Sequence, residues 1–333
     1  MQKLKQKILF PYRHLLSFVK NDFEILQEKY DVISIHVTKN IFKSLVNFFR
    51  YTWKVDLVFA YFAGVHAFLG LLFARLFGKK MIVVSGGYDA AYVPEINYGA
   101  FTSWWRGWIA KYVFENADMV IACTNNTKKE ILEHAKPKKI KVIYDGVNVK
   151  NFYPSGKKNE KLVISVGIIN QTDLKRKGME TFVKAAKYLP DVEFVLAGKP
   201  ADNSINYLKS IATENVKFPG FVSDEELLKL YQNAKVYVQV SAHEAPGLSL
   251  AEAMLCGCIP VVTRRGAIPE IVEDTGFYVP YNDPEKTAEA IKEALKADEK
   301  LGRKGREIIL RLLTMEEIKK DLLETVETVM NEK

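Results

Sequence analysis

Short apolar runs alternate with longer helical runs twice along the chain, and this alternation constrains the fold more than any other feature. In the first half, Lys7–Phe10, Asp31–Val37, Leu57–Tyr61, Lys80–Ser85, Asp118–Cys123 and Lys141–Tyr144 have strand length and strand composition. Between them, Ser17–Lys29, Asn40–Trp53, Val65–Phe77, Thr102–Asn116 and Thr124–His134 have helical length and spacing. Strands separated by helices pair in parallel, because each crossover returns the chain to the same end of the sheet. The polar stretch Asn148–Asn159, with Pro154 and Gly156, interrupts the pattern. It then restarts with strands at Leu162–Val166, Glu193–Ala197, Lys217–Phe218, Val236–Val240, Pro260–Thr263 and Gly276–Val279. Helices are expected at Gly178–Tyr188, Asp224–Asn233, Leu248–Leu255 and Pro284–Lys296, with a helical turn at Pro269–Val272. The expected fold is α/β, two Rossmann-like doubly wound domains facing a central cleft, with ligands at the C-terminal strand ends. The expected domains are 1–150 and 151–313. A tail helix over 314–333, with Ile318, Leu322 and Val326 at i+4 spacing, is expected to pack back on the first domain.

Leu57–Ala74 is free of charge and approaches the length of a membrane span. Gly64, His66 and Gly70 dilute its hydrophobicity. A strand, a turn at Phe62–Gly64 and a helix account for it better. Lys and Arg exceed Asp and Glu by eight, and the excess is local. Residues 1–150 hold 22 basic and 12 acidic residues; residues 151–333 hold 26 and 28. A phosphorylated substrate, an anionic membrane surface, or solubility with chance clustering fits such a half. Nucleic acid does not, because no recognition motif accompanies the charge. Three cysteines, Cys123, Cys256 and Cys258, form neither a disulfide framework nor a zinc cluster. The apolar run Ile8–Phe10 is too short for a signal peptide. The expected location is cytoplasmic, with peripheral association at the inner face of the cell membrane.

The segment from Ser241 to Met254 carries the chemistry. It leaves a buried strand, turns at Pro246-Gly247 and opens a helix, so the backbone N–H groups of Gly247, Leu248 and Ser249 face outward and attract an anion. Glu244 lies in the loop beside His243, and Glu252 in the first turns of the helix. Two such carboxylates can accept hydrogen bonds from sugar hydroxyls. A solvated acid plus a helix acid that complements the dipole explains them as well.

This block resembles the E-x7-E signature of retaining GT-B glycosyltransferases of family 4. The runs Leu255–Thr263, Gly266–Val272 and Thr275–Pro280 are similar to the segments downstream of that signature in the family. Asp145–Asn148, Val166-Gly167, Lys175–Gly178, Leu196–Gly198 and Pro219–Val222 extend the likeness backward. The resemblance implies transfer of a sugar from a nucleotide-diphosphate-sugar, UDP- or GDP-linked, to a glycan or lipid-linked acceptor. It also implies retention of configuration and neither metal nor cofactor, and the chain contains no D-x-D. It implies that Glu244 binds the donor sugar, Glu252 the ribose, and Lys177 the diphosphate together with the Gly247, Leu248 and Ser249 amides. His243 joins the donor site, and the backbone near Val222 meets the base. Where the family places an arginine, this chain has Ile168, so Lys175 or Arg176 takes that part. Where the family often has a histidine, Ser85–Asp89 leaves Asp89 as the ionisable candidate on the acceptor side. Phe42, Leu45, Phe48 and Phe49 with Lys43 and Arg50 read as core or as a basic aromatic surface. Trp104, Trp105 and Trp108 read as core or acceptor pocket, and His14, His36, His66 and His134 as structural. Alternatives to transfer are a catalytically inactive nucleotide-sugar-binding partner and a sugar-nucleotide epimerase on the same fold.

Overall fold

A computed structural model describes residues 5–13, 15–38, 40–245 and 247–332, with the side chain of Ile41 excepted. His14 and Pro246 lie outside the described residues. The chain forms two compact units, Met1–Gly146 with Glu316–Lys333, and Val147–Met315. The division falls four residues before the expected one, at Gly146.

In the first unit the elements run β1 (Lys7–Tyr12), α1 (Ser17–Lys29), β2 (Asp31–His36), α2 (Ile41–Thr52), β3 (Leu57–Tyr61), α3 (Val65–Leu76), β4 (Lys80–Ser85), α4 (Trp104–Asn116), β5 (Met119–Ala122), α5 (Asn125–His134) and β6 (Ile140–Val142). All strands are parallel, in the order β2-β1-β3-β4-β5-β6. Strands β3 and β4 are buried on both faces, because helices cover the sheet on each side. That explains the charge-free run at 57–74: it is a central strand and the helix after it. No helix among the described residues is long and apolar enough to cross a membrane.

The second unit runs β7 (Asn159–Val166), α6 (Gln171–Arg176), α7 (Met179–Ala185), β8 (Glu193–Ala197), α8 (Ser204–Ile211), β9 (Val216–Gly220), α9 (Asp224–Asn233), β10 (Ala234–Gln239), α10 (Leu248–Leu255), β11 (Ile259–Thr263), α11 (Ile268–Val272), β12 (Phe277–Val279), α12 (Pro284–Lys296) and α13 (Glu299–Leu312). Its parallel sheet has the order β12-β11-β10-β7-β8-β9. The core is the apolar set around Phe182, Phe194, Val236, Val238 and Ile291. Helix α13 packs against α10 so closely that a Cβ at Gly302 would lie 2.3 Å from the Gly257 carbonyl oxygen. Glycine there lowers helix propensity but permits the contact.

The last helix, α14 (Met315–Asn331), belongs to the first unit. It buries Ile318, Leu322, Val326 and Val329. Its polar edge pairs Glu327 with Lys29 at 2.7 Å and Asp321 with Lys141 at 3.1 Å, and Glu332 just beyond it pairs with Lys139 at 2.6 Å. These exposed pairs orient the helix; its apolar face supplies most of the attachment.

Candidate functional site

In the second unit the strand order reverses between β7 and β10. Ligands of open parallel sheets bind beyond the strand ends at such a point. The segment that leaves β10 there is held from three sides. The Ala242 N–H donates to the Arg176 carbonyl at 2.7 Å. The Thr263 hydroxyl donates to the Ser241 carbonyl at 2.6 Å. The Ala267 N–H donates to the Glu244 carbonyl at 2.9 Å. Gly266, at φ +58°, lies flush on Glu244: a Cβ there would sit 2.2 Å from the Glu244 carbonyl oxygen. Only glycine combines that φ with that approach.

The Glu244 side chain is held as firmly as its backbone. The Arg176 guanidinium reaches both its carboxylate oxygens, at 3.3 and 3.2 Å, and the Ser241 hydroxyl donates to Oε2 at 3.4 Å. On its other edge Arg176 grips Asp173 Oδ1, through Nε at 2.7 Å and a terminal nitrogen at 2.6 Å. Asn170 caps α6 by accepting the Asp173 N–H, and donates to Asp173 Oδ2 at 3.0 Å. Only 14, 13 and 11 % of the Arg176, Asp173 and Glu244 side chains are exposed. Burial works against the Glu244 charge, but Lys177, Arg176 and His243 outweigh it, so its carboxyl stays below the usual range. Glu244 is therefore ionised and fixed in direction.

Lys177, the C-cap of α6, runs its stem along Gly167, where a Cβ would be 3.0 Å from Lys177 Cδ. Its charge reaches Glu244 and Glu252, yet it makes no ion pair with a described residue. Glu252 accepts from the Tyr231 hydroxyl at 3.1 Å. Burial pushes its carboxyl up to about 7, against that hydrogen bond and the Lys177 charge. Gly247 is the N-cap of α10, and the Leu248 and Ser249 amides come next in the first turn, where no intrahelical carbonyl is available. The Ser249 hydroxyl turns inward and is met by the Tyr237 hydroxyl at 3.0 Å. Val222, half-buried, stands between exposed Phe221 and the Ser223 capping box of α9.

The structure thus gathers Glu244, Arg176, Lys177, His243 and the α10 start around one strand end. Arg176, expected with Lys175 as the alternative for the part of the family's arginine, pairs its guanidinium with Asp173 and Glu244. Asp173 is not among the residues the motif points to, although an acid three residues before an arginine on a helix is a readable pair.

The first unit holds Asp89. It lines a cavity of about 490 Å³ with Tyr12, Arg13, Tyr61, His66 and Arg106. Its carboxylate accepts the Ala63 N–H at 2.7 Å and the Ser85 hydroxyl at 2.9 Å. Burial raises its pKa to about 6, against these hydrogen bonds. These contacts hold the turn at Phe62, whose φ of +61° is unusual for a non-glycine residue. His66, expected to be structural, shares the cavity, with Nε2 at 2.5 Å from the Tyr61 carbonyl oxygen. Among the described residues no group of three or more His, Cys, Asp or Glu is placed to hold a metal.

Residues 6–151 match the family described as Glycosyltransferase Family 4, and residues 150–308 that described as Glycosyl transferases group 1. The D-inositol 3-phosphate glycosyltransferase of Mycolicibacterium gilvum is 28% identical over 208 residues, 56% of this chain and 46% of the relative. The chain thus spans about half the length of that relative and of its Mycolicibacterium vanbaalenii counterpart. An uncharacterized glycosyltransferase of Methanocaldococcus jannaschii is 25% identical over 340 residues, 92% of this chain and 93% of the relative. Among solved structures, sucrose-phosphate synthase from Thermosynechococcus elongatus superposes with a TM-score of 0.82 at 20% identity, over 97% of this chain and 99% of that one. Anabaena HepE, solved with UDP and glucose, gives 0.81 at 17% identity, over 97% and 100%. At these identities the two structures establish the GT-B fold.

Proposed function

The chain belongs to the family 4, group 1 glycosyltransferases, and from that premise we propose that it transfers a sugar from a nucleotide-diphosphate-sugar, UDP- or GDP-linked, to a glycan or lipid-linked acceptor. Configuration is retained and no metal is required. The observation that carries this is the ionised, immobilised Glu244 beside Lys177 at the start of α10. Lys177 and the Leu248 and Ser249 amides stabilise the charge that develops on the leaving diphosphate. Glu244 accepts hydrogen bonds from donor sugar hydroxyls, with His243 beside it. Glu252 accepts from the ribose, and the backbone near Val222 meets the base. Arg176 acts through Glu244. In a front-face reaction the leaving phosphate oxygen takes the acceptor proton, so Asp89 serves the acceptor side by shaping the Phe62 turn.

The test is calorimetry with UDP-, GDP- and ADP-glucose, then donor hydrolysis without acceptor and with chelator present. Glu244→Ala and Lys177→Ala should each greatly reduce turnover while the fold survives. Near-wild-type turnover in either variant would overturn the assignment. Donor binding with no turnover, across a panel of acceptors, would favour the non-catalytic binding protein.

Peripheral association with an anionic membrane completes the proposal. Helices α2 and α3 contain no Asp or Glu. Phe42, Phe49, Trp53 and Leu76 are 77, 60, 56 and 66% exposed among Lys43, Arg50, Lys54 and Arg75. Apolar rings amid cations suit an anionic headgroup layer. Pelleting with phosphatidylglycerol vesicles should occur and fade with salt; absence of pelleting at low salt would return the charge to solubility.

A further inference from the structure

The cavity of the first unit lies at the C-terminal ends of β1 and β3. There the order β2-β1-β3 reverses, so it occupies the switch point of that sheet. Its volume, about 490 Å³, suits a small organic ligand. Its walls are mostly apolar, from Leu16, Phe62, Val65, Trp105 and Ile109. Leu16, Val65 and Trp105 are all exposed there, so part of this apolar surface faces solvent. The charge is one-sided. Arg13 and Arg106 line the cavity, and neither pairs with a carboxylate among the described residues. Arg106 donates to the Tyr88 hydroxyl at 3.1 Å and stacks over the Trp105 ring at 5.1 Å, which aims its fork without neutralising it. Among the described residues Asp89 is the only acid lining the cavity, and its two oxygens are turned to the Ala63 amide and the Ser85 hydroxyl.

The Tyr12 and Tyr88 hydroxyls on the wall can meet a neutral ligand, but such a ligand leaves the charge of the two guanidinium groups unmatched. The chamber suits an anionic oxygen group on an apolar body, because the planar guanidinium matches phosphate and carboxylate geometry. We propose that the occupant of this cavity, the acceptor on the glycosyl-transfer reading, is an amphipathic anion whose phosphate or carboxylate is held by Arg13 and Arg106. That the occupant is the acceptor rests on the glycosyl-transfer reading; that it is an amphipathic anion rests on the cavity alone.

The experiment is calorimetry on the full chain with octyl phosphate, octanoate, octyl glucoside and inorganic phosphate, each below its micelle concentration. One of the two amphipathic anions should bind about tenfold or more tightly than octyl glucoside and than inorganic phosphate. Which of the two prevails tells a phosphate acceptor from a carboxylate one. Arg13→Gln with Arg106→Gln should weaken that anion by about tenfold or more; both side chains are exposed, so the fold is not at stake. Gly64→Leu fills the chamber from a position where a Cβ meets only the His66 ring, at 3.5 Å, and should abolish binding. Equal affinity for octyl glucoside, or undiminished anion binding in either variant, would overturn the proposal. Donor hydrolysis by the wild-type protein separates the two readings. Hydrolysis without anion preference sinks the cavity proposal alone. Anion binding that depends on the arginines without any donor turnover sinks the transfer reading and leaves the anion site standing.

Discussion

Arg176→Met tests whether the Asp173–Arg176–Glu244 cluster is what fixes the Glu244 carboxylate. Methionine keeps much of the side-chain volume and removes the charge. Breaking a buried ionic network by deleting one partner costs about 3–5 kcal/mol, because the remaining charges lose their compensation. Some water reaches this cluster, Lys177 still acts on Glu244, and Asn170 still donates to Asp173. The expected loss at neutral pH is therefore about 2–4 kcal/mol. Its pH dependence comes from Glu244. In the wild type its folded pKa lies below the usual value near 4.5. It thus contributes stability above that value and loses it as pH falls through the folded pKa. Without Arg176, burial is less opposed and the folded pKa rises. The deficit of the variant should be largest at neutral pH and shrink as pH drops below about 4.5. Urea unfolding monitored by far-ultraviolet circular dichroism measures it. All four tryptophans, Trp53, Trp104, Trp105 and Trp108, lie in the first unit, so their fluorescence gives an internal reference. Donor affinity should fall in parallel. A deficit below about 1 kcal/mol, the size of an exposed pair, would refute the reasoning. So would one that stays constant from neutral to acid pH.

Three other substitutions probe the remaining contacts. Glu252 has a folded pKa near 7, above its usual 4.5, so its contribution to stability is present below 4.5 and lost as pH rises through 7. Glu252→Gln should accordingly gain stability relative to wild type across that window while nucleotide affinity falls; a flat difference by pH-dependent melting would contradict the burial argument. Asp89→Asn turns one acceptor into a donor facing the Ala63 amide or the Ser85 hydroxyl, and should cost about 1–3 kcal/mol by tryptophan-monitored unfolding. Unchanged stability with lost transfer would instead make Asp89 an acid–base group. Gly266→Ala should weaken donor binding, because its Cβ overlaps the Glu244 carbonyl. Gly156→Ala is the control, at a φ of +66° with open space around it; equal effects on donor affinity would mean that backbone strain alone is at work.

Much of this fold was legible because helix and strand differ in period. Ser17–Lys29, Leu57–Tyr61, Asp224–Asn233, Leu248–Leu255 and Pro284–Lys296 begin and end as expected. Three helices of the second unit were not legible. Helix α6 has one buried residue, Leu174, in six, so it carries almost no apolar period. Helix α8 is short, with two buried positions, Ser204 and Leu208. Helix α13 contains Gly302 and Gly305, which read as breakers although they are where the helix meets its neighbours. Strand order was also beyond reach, since parallel pairing comes from alternation but the switch points depend on which crossover turns which way.

The run Lys175-Arg176-Lys177 shows why the site was legible as a motif and not as an arrangement. In one dimension three adjacent cations look interchangeable, and all three were candidates for an anionic ligand. A helix separates neighbours by about 100°, so the three leave α6 in different directions. Lys175 is exposed. Arg176 turns inward and is neutralised by Asp173 and Glu244, 68 residues apart from it in the latter case. Lys177, at the C-cap, is the one whose charge acts on both glutamates of the signature without an ion pair to either. The division of labour reflects their chemistry. A fork that bonds two carboxylates at once is suited to holding Glu244 still. A single ammonium on a flexible stem is suited to meeting a charge that arrives and leaves. Exchanging the two, as Arg176→Lys with Lys177→Arg, preserves the net charge and the local composition. It should nevertheless lower donor affinity and unfolding stability together, because lysine cannot span Asp173 and Glu244. Wild-type behaviour in that double variant would mean that the positive charge matters and its geometry does not.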